Sequence, residues 1–212
     1  MQIIDIEQGT EAWHRTKWGK VGGTRSAGLR IASDNLMLEL LGELTEEYDN
    51  EQESGFKSSA MDRGNELEPE ARKRLIQYTG IDFKEYGWLQ SSECKIIGIS
   101  PDGMTEGQTK GAEFKCPGAK AHLKVCLSGE IPKEYIDQCV HFFTVNPKLE
   151  TLYFCSFRPE SIVPLKVIEL NRWDKISIGP VKGVVGNISN TNLAKAKTLE
   201  LELEGNIKKL NF

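Results

Sequence analysis

The sequence predicts an α/β fold in one domain, and three observations carry that prediction. A chain of 212 residues can bury one sizeable core, whereas two independent domains would be cramped. Its first third holds apolar residues at helical spacing, and its middle holds apolar, β-branched runs punctuated by Pro and Gly. The division places the main core at about 57–170 and a helical elaboration at about 171–212, all within a single domain over 1–212.

In chain order, Met1 to Ile6 reads as a short strand, and Thr10 with Glu11 behind it caps a helix through about Trp18. The glycine-rich passage Gly19 to Ser26 ends that helix and starts another. It gathers backbone N–H groups, the Thr24 hydroxyl and the cations Lys20 and Arg25 at a helix start, which suits a phosphate, although a plain helix cap accounts for these residues more simply. Asn35 to Glu47 is helical through Leu36, Leu40, Leu41 and Leu44. The polar run Glu46 to Ser54 reads as an exposed connection. Lys57 to Tyr78 is a stronger helix, with Ala60, Gly64, Leu67, Ala71, Leu75 and Tyr78 as its buried stripe. Glu68 falls on that stripe, where a carboxylate needs a partner, while Glu66 and Glu70 point to solvent.

After Gly80 the chain is extended through Tyr86 to Gln90 and Cys94 to Ile99, the latter adjacent to a strand at Ala112 to Cys116. Lys120 and Lys124 begin a helix beside those strands, where they can meet phosphates. Pro132 opens the next helix, which places Tyr135, Gln138, Phe142 and Phe143 near one face. Leu149 to Phe157 and Ile162 to Leu170 form a hairpin around Arg158-Pro159-Glu160. The segment from Ile178 to Asn187 has no clear pattern, and Asn192 to Leu210 is a charged, leucine-bearing helix.

Composition excludes several classes. The formal net charge of -4 gives no bulk attraction to nucleic acid, so a DNA contact would need a local basic patch. Five cysteines without Cys-x-x-Cys spacing read as reduced thiols in a cytoplasmic protein. No apolar run is long enough to span a bilayer, so no membrane partner is expected. His14, His122 and His141 lack ligand spacing, and the four tryptophans read as core or interface anchors.

The chemistry concentrates between Ser100 and Cys116. Strand side chains alternate, so Glu113 and Lys115 share one face and Ala112, Phe114 and Cys116 the other. Asp102, between Pro101 and Gly103, can turn toward Glu113. Two carboxylates in proximity repel unless a cation separates them, and magnesium suits two carboxylates plus a backbone carbonyl such as that of Phe114. Lys115 would then orient or help deprotonate a water, or neutralise charge on a phosphate. The competing interpretation is a turn aspartate and an exposed Glu-Lys pair, which requires the three positions to coincide by accident.

Asp102, Glu113 and Lys115 resemble the signature of the PD-(D/E)xK nuclease superfamily. The wording Ser-Pro-Asp-Gly and Glu-Phe-Lys-Cys-Pro is similar to the phage lambda exonuclease and YqaJ-type viral recombinase group. The likeness extends to Gln8–Thr24, to Arg63-Gly64 through Ala71, and to Tyr135–Gln138. It implies a restriction-endonuclease-like core with a central mixed β-sheet flanked by helices. It further implies a magnesium-dependent exonuclease, manganese being able to substitute, with one or two ions per site. Such enzymes degrade duplex DNA 5′ to 3′ from its ends, form a homotrimer ring, and hand 3′ tails to a single-strand annealing protein. By the same resemblance Glu68 joins the metal site and Gln138 orients water or a ligand, where the residues alone allow a salt-bridged acid and a satisfied core glutamine. Lys17 and Thr24 stand where the family holds the DNA end with an arginine and a serine, so with Arg25 and Lys120 they are the candidate DNA contacts. Lysine at 17 loses the bidentate grip of arginine. A site-specific endonuclease or a non-catalytic DNA-binding protein would carry the same core.

Overall fold

The computed structural model describes residues 1–48 and 59–210. Most of the connection read at Glu46 to Ser54, and the helix start at Lys57, lie outside them. Three sheets form. The first joins β1 (Gln2–Ile4), β2 (Trp88–Gln90) and β3 (Gly98–Ile99), all antiparallel. The second is mixed: β4 (Gly103–Met104), β5 (Lys110–Lys115), β6 (Thr151–Phe157) and β7 (Leu165–Asn171) lie in that order, with β5 and β6 parallel and the outer pairs antiparallel. A hairpin of β8 (Lys175–Ile178) and β9 (Val181–Val184) forms the third.

The helices are α1 (Glu11–Lys17), α2 (Ser26–Ile31), α3 (Asp34–Thr45), α4 (Ser59–Thr79), α5 (Ala119–Ser128), α6 (Lys133–Val145) and α7 (Val185–Leu210), with a 3₁₀ turn at Gly23–Arg25. The Thr10 hydroxyl accepts from Trp13 N, as its capping role requires. The β5–β6 crossover contains two helices, α5 and α6, which is the length a parallel pair needs.

Alternation along β5 and β6 decides the layering. Ala112, Phe114, Cys155 and Phe157 pack with Ala71, Leu75 and Phe83 on the α4 side. Phe154 and Leu152, on the other face, join Cys139, Phe142 and Phe143 of α6 in the larger core. Phe154 is fully buried, and truncating such a ring to alanine costs about 3–5 kcal/mol. The mixed sheet is therefore held between α4 and α6, and the face bearing Glu113 and Lys115 looks toward α6.

Several expectations are corrected. Gly98–Ile99 is the only strand within Cys94 to Ile99, and it pairs with β2. The strand beside Ala112 is instead β4, through Gly103↔Ala112 and Met104↔Gly111. The chain changes sheets at Ser100-Pro101-Asp102, where Pro has no N–H to give a ladder. Tyr78 is 70% exposed; the helix ends at Thr79 and turns away at Gly80, leaving Leu75 and Ile76 to close the apolar stripe. Trp173 is also exposed. The stretch from Ile178 to Asn187 holds the last residue of β8, the turn, β9 and the start of α7, which begins seven residues before Asn192. Gly179, at φ 58, supplies the left-handed residue that a two-residue turn demands.

Candidate active site

Glu113 is 2% exposed and Asp102 9%, and each is held from a different element. Asp102 precedes β4, and its Oδ2 accepts from Phe114 N at 2.7 Å. Its own carbonyl accepts from Arg72 Nε at 2.6 Å. Glu113 Oε1 accepts from Lys115 Nζ and from Gln138 Nε2, both at 2.5 Å. Lys115 Nζ also lies 5.2 Å from the Tyr135 ring centroid. Glu113 Oε2 is buried and has no hydrogen-bond partner among the described residues. A buried carboxylate oxygen without a partner is costly, and a cation relieves that cost.

The electrostatics follow from this crowding. Burial pushes the Asp102 carboxyl well above the ordinary carboxylate range, and the Glu113 and Glu68 charges push it further. Glu68 is raised by burial first and then by Glu113. Burial works against the Lys115 ammonium, but the Glu113 and Asp102 carboxylates outweigh it and hold the amine above its usual pKa. Cys116 is pushed up to about 12 by burial and by Glu68 and Asp102. Three acids and one amine thus act on one another within the cleft.

This donor set fits a hard divalent cation. Among the described residues no three His, Cys, Asp or Glu side chains gather into a ready-made ligand cluster. Two carboxylates, with carbonyl, water or phosphate oxygens completing an octahedron, are what magnesium takes. The unpartnered Glu113 Oε2 and the raised carboxyls of Asp102 and Glu68, both pushed up by Glu113, are the marks of a site that a cation would settle.

Residues 12–147 match the YqaJ-like viral recombinase domain. The chain belongs to that family. Among solved structures it is similar to an alkaline exonuclease, LHK-Exo, from Laribacter hongkongensis, at 26% identity and a TM-score of 0.74, covering 95% of this chain and 96% of that one. The same exonuclease in complex with dAMP aligns at 27% identity and a TM-score of 0.70, covering 95% and 98%. A phage-related exonuclease from Haemophilus somnus 129PT shares the fold at 14% identity and a TM-score of 0.52, covering 89% and 96%. No curated protein matches the chain. Among the described residues no helix is long and apolar enough to cross a membrane.

Within this YqaJ-like domain, the structure brings Asp102, Glu113, Lys115 and Gln138 together. Glu68 lies on α4, half-buried, and a Cβ built on Gly64 would stand 3.7 Å from its Oε1, so the small residue one turn earlier leaves its carboxylate room. Lys17 and Arg25 line an open cavity of about 570 Å³ with Trp13, Trp18 and Glu43. Lys17 Nζ stacks 3.5 Å above the Trp13 ring. Arg25 forks onto the Glu43 carboxylate, which also accepts from Gly19 N at 2.8 Å. Of the groups expected to gather around an anion, Arg25 is taken up by Glu43, a carboxylate of this chain. Thr24 is exposed in the 3₁₀ turn, and Lys120 is exposed on the first turn of α5, outside that cavity.

Two participants escaped the sequence. Arg72 stands four residues after Glu68, a spacing that places both on one helix face, yet nothing in the sequence connects it to the Asp102 turn. Gly23 faces Gln138 across 115 positions of chain, and no local pattern carries that contact.

Proposed function

We propose that this YqaJ-like protein is a magnesium-dependent exodeoxyribonuclease that hydrolyses duplex DNA from its ends, 5′ to 3′. The observation that carries the proposal is Glu113: a buried carboxylate that raises the pKa of Asp102, with one oxygen held by Lys115 and Gln138 and the other unpartnered among the described residues. Similarity to an alkaline exonuclease over almost the whole of both chains supports it, as does the dAMP bound by that relative.

Asp102 and Glu113, with the Phe114 carbonyl, would hold magnesium or manganese, and Glu68 would support a second ion if two are bound. Bound there, the cation supplies positive charge to the phosphate and acidifies its water. The rest falls to the chain's own groups. Gln138 Nε2 fixes the orientation of Glu113, and the Arg72 bond fixes the turn that carries Asp102. Lys115 presents an ammonium to charge developing on phosphate oxygens and orients the attacking water. Lys17, Thr24 and Arg25 receive the phosphate of the DNA end, and Lys120 contacts the backbone. A homotrimer ring would gather such cations around the duplex while the outer surface stays acidic. The product, a 3′ single-stranded tail, would pass to an annealing protein.

The test uses linear duplexes labelled at either end, with and without a 5′-phosphate, beside a closed circle, in magnesium and in chelator. Magnesium-dependent release of 5′-terminal label from linear DNA, with the circle intact, is the expected result. Cutting of the circle would replace the proposal with an endonuclease, and absence of any cleavage would leave a binding protein.

A further inference from the structure

The Gly22–Arg25 passage meets the carboxylate site at Gly23, against Gln138. Val21 is docked firmly: its N–H donates to Ile96 O at 2.7 Å, and its carbonyl accepts from Gly98 N at 3.2 Å. The same carbonyl and that of Gly98 accept from His141 Nε2, at 3.1 and 3.2 Å. His141 lies three residues after Gln138 on α6, so α6 and the Val21–Gly23 segment are fixed to one another by two side chains in succession.

At Gly23 the approach is closer than any side chain allows. A Cβ there would stand 2.8 Å from Gln138 Cγ, 3.2 Å from Nε2 and 3.3 Å from Cδ. The contact spans the stem of the glutamine as well as its tip, so a Cβ cannot be accommodated by swinging the amide alone. Gly23 has an ordinary negative φ, so substitution there brings no backbone strain. The glycine is required for space. The same Gln138 Nε2 that lies against Gly23 donates to Glu113 Oε1 at 2.5 Å.

We infer that Gly23 is a positioning residue: its missing side chain lets the Gly-Gly-Thr-Arg turn press Gln138 into the rotamer that binds Glu113. The turn that carries Thr24 and Arg25 is thereby one side chain away from the catalytic carboxylate. A duplex end that shifts this turn would move the Glu113 oxygen through Gln138. The inference rests on the reading above that Gln138 serves Glu113.

The test is a double-mutant cycle between Gly23→Ala and Gln138→Ala, scored by kcat and KM on linear duplex and by the magnesium concentration for half-maximal rate. Losing one hydrogen bond to a buried charged group changes rates by about tenfold to a hundredfold. Gly23→Ala should lower kcat by about that factor and raise the magnesium requirement while leaving KM for DNA near wild type. In the Gln138→Ala background the added methyl has room, and Gly23→Ala should change nothing further. This double variant keeps the test decisive even if Gly23→Ala alone folds poorly. A full further loss in the Gln138→Ala background, or a wild-type rate for Gly23→Ala beside an impaired Gln138→Ala, would overturn the inference alone. A wild-type rate for Gln138→Ala would overturn the role given to Gln138 and this inference with it.

Discussion

Arg72 Nε donates to the carbonyl oxygen of Asp102 at 2.6 Å, while its Nη2 donates to Glu85 at 2.6 Å. The guanidinium thus bridges α4 to the turn at which the chain changes sheets, and the turn holds one of the two buried acids. Its side chain is only 16% exposed, so the bond to Asp102 is largely shielded from water. Arg72→Ala should destabilise the fold by about 1–3 kcal/mol and raise the magnesium needed for half-maximal cleavage. Arg72→Lys should rescue little, because an ammonium cannot reproduce a two-armed planar fork. Urea unfolding and a magnesium titration of the three proteins decide the matter; a wild-type Arg72→Lys on both would remove the clamp from the account.

Lys115 is bound to Glu113 at 2.5 Å and lies against the Tyr135 ring, so its ammonium is fixed in place. Removing it from a water-poor site should cost on the order of a hundredfold or more in cleavage rate. Lys115→Ala should still bind duplex DNA in calcium and should elute at the same size as the wild type. Cleavage at the wild-type rate would show that the amine plays no part in the reaction.

Asp102 makes the opposite trade. Its folded pKa lies above the unfolded value, so the folded chain holds the proton to higher pH; the associated stability is complete below the unfolded pKa and is lost as pH rises through the folded one. Without metal, the acid therefore weighs against the fold once pH rises above the ordinary carboxylate range. Asparagine keeps an oxygen to accept from Phe114 N and drops the charge. Asp102→Asn should melt higher than wild type at pH 7 in chelator, while losing roughly a hundredfold or more of its activity. Excess magnesium should close the gap in melting temperature by stabilising only the wild type. Equal melting temperatures in chelator would contradict this description of the site.

The site was legible in the sequence where its residues lie on one strand and obscure where they meet across the fold. Glu113 and Lys115 follow from period-two alternation alone, because a strand cannot place i and i+2 on opposite faces. Helices α3, α4 and α6 were legible from their apolar stripes. The partner of β5 was not, because a two-residue strand such as Gly103–Met104 has too few side chains to show alternation, and the longer apolar run before it was the stronger lure. The β8–β9 hairpin was obscured by its glycines, which break the pattern of apolar residues without announcing a strand. Arg72 and Gly23 act over contacts of 30 and 115 positions, and sequence spacing carries no record of either.

Arg25 and Glu43 give a prediction about DNA ends. The Glu43 carboxylate occupies the Arg25 fork and the Gly19 N–H, the donors a terminal phosphate would use. Glu43→Gln removes the competing charge and leaves an amide oxygen for Gly19. It should tighten binding of 5′-phosphorylated ends by about threefold to tenfold, in proportion to the modest energy of a partly exposed ion pair, with 5′-hydroxyl ends affected less. Arg25→Ala should reverse the preference. Fluorescence anisotropy with the two kinds of end reads both variants, and equal gains for both ends would show that Glu43 does not stand in the phosphate's place.

His141 contributes stability that the fold loses in acid. It is 1% exposed, its Nε2 faces two backbone carbonyls, and its Nδ1 has no partner among the described residues. Burial brings its pKa from 6.5 down to about 4, with the Val21 and Gly98 carbonyls pulling weakly the other way. The folded chain therefore keeps a neutral ring at a pH where the unfolded chain is already protonated. The stability this contributes is complete above pH 6.5, declines as pH falls, and is gone once the folded ring titrates near pH 4. The gap amounts to roughly 3 kcal/mol at most. His141→Gln retains a side-chain N–H for the carbonyls and cannot titrate, so urea midpoints should fall less steeply for the variant than for the wild type between pH 6.5 and 4. Because the other acids are common to both proteins, the difference in slope isolates the imidazole. Parallel slopes would mean that the ring gains its proton equally well in the folded chain, and the Val21–His141–Gly98 bridge would then tolerate a charged ring.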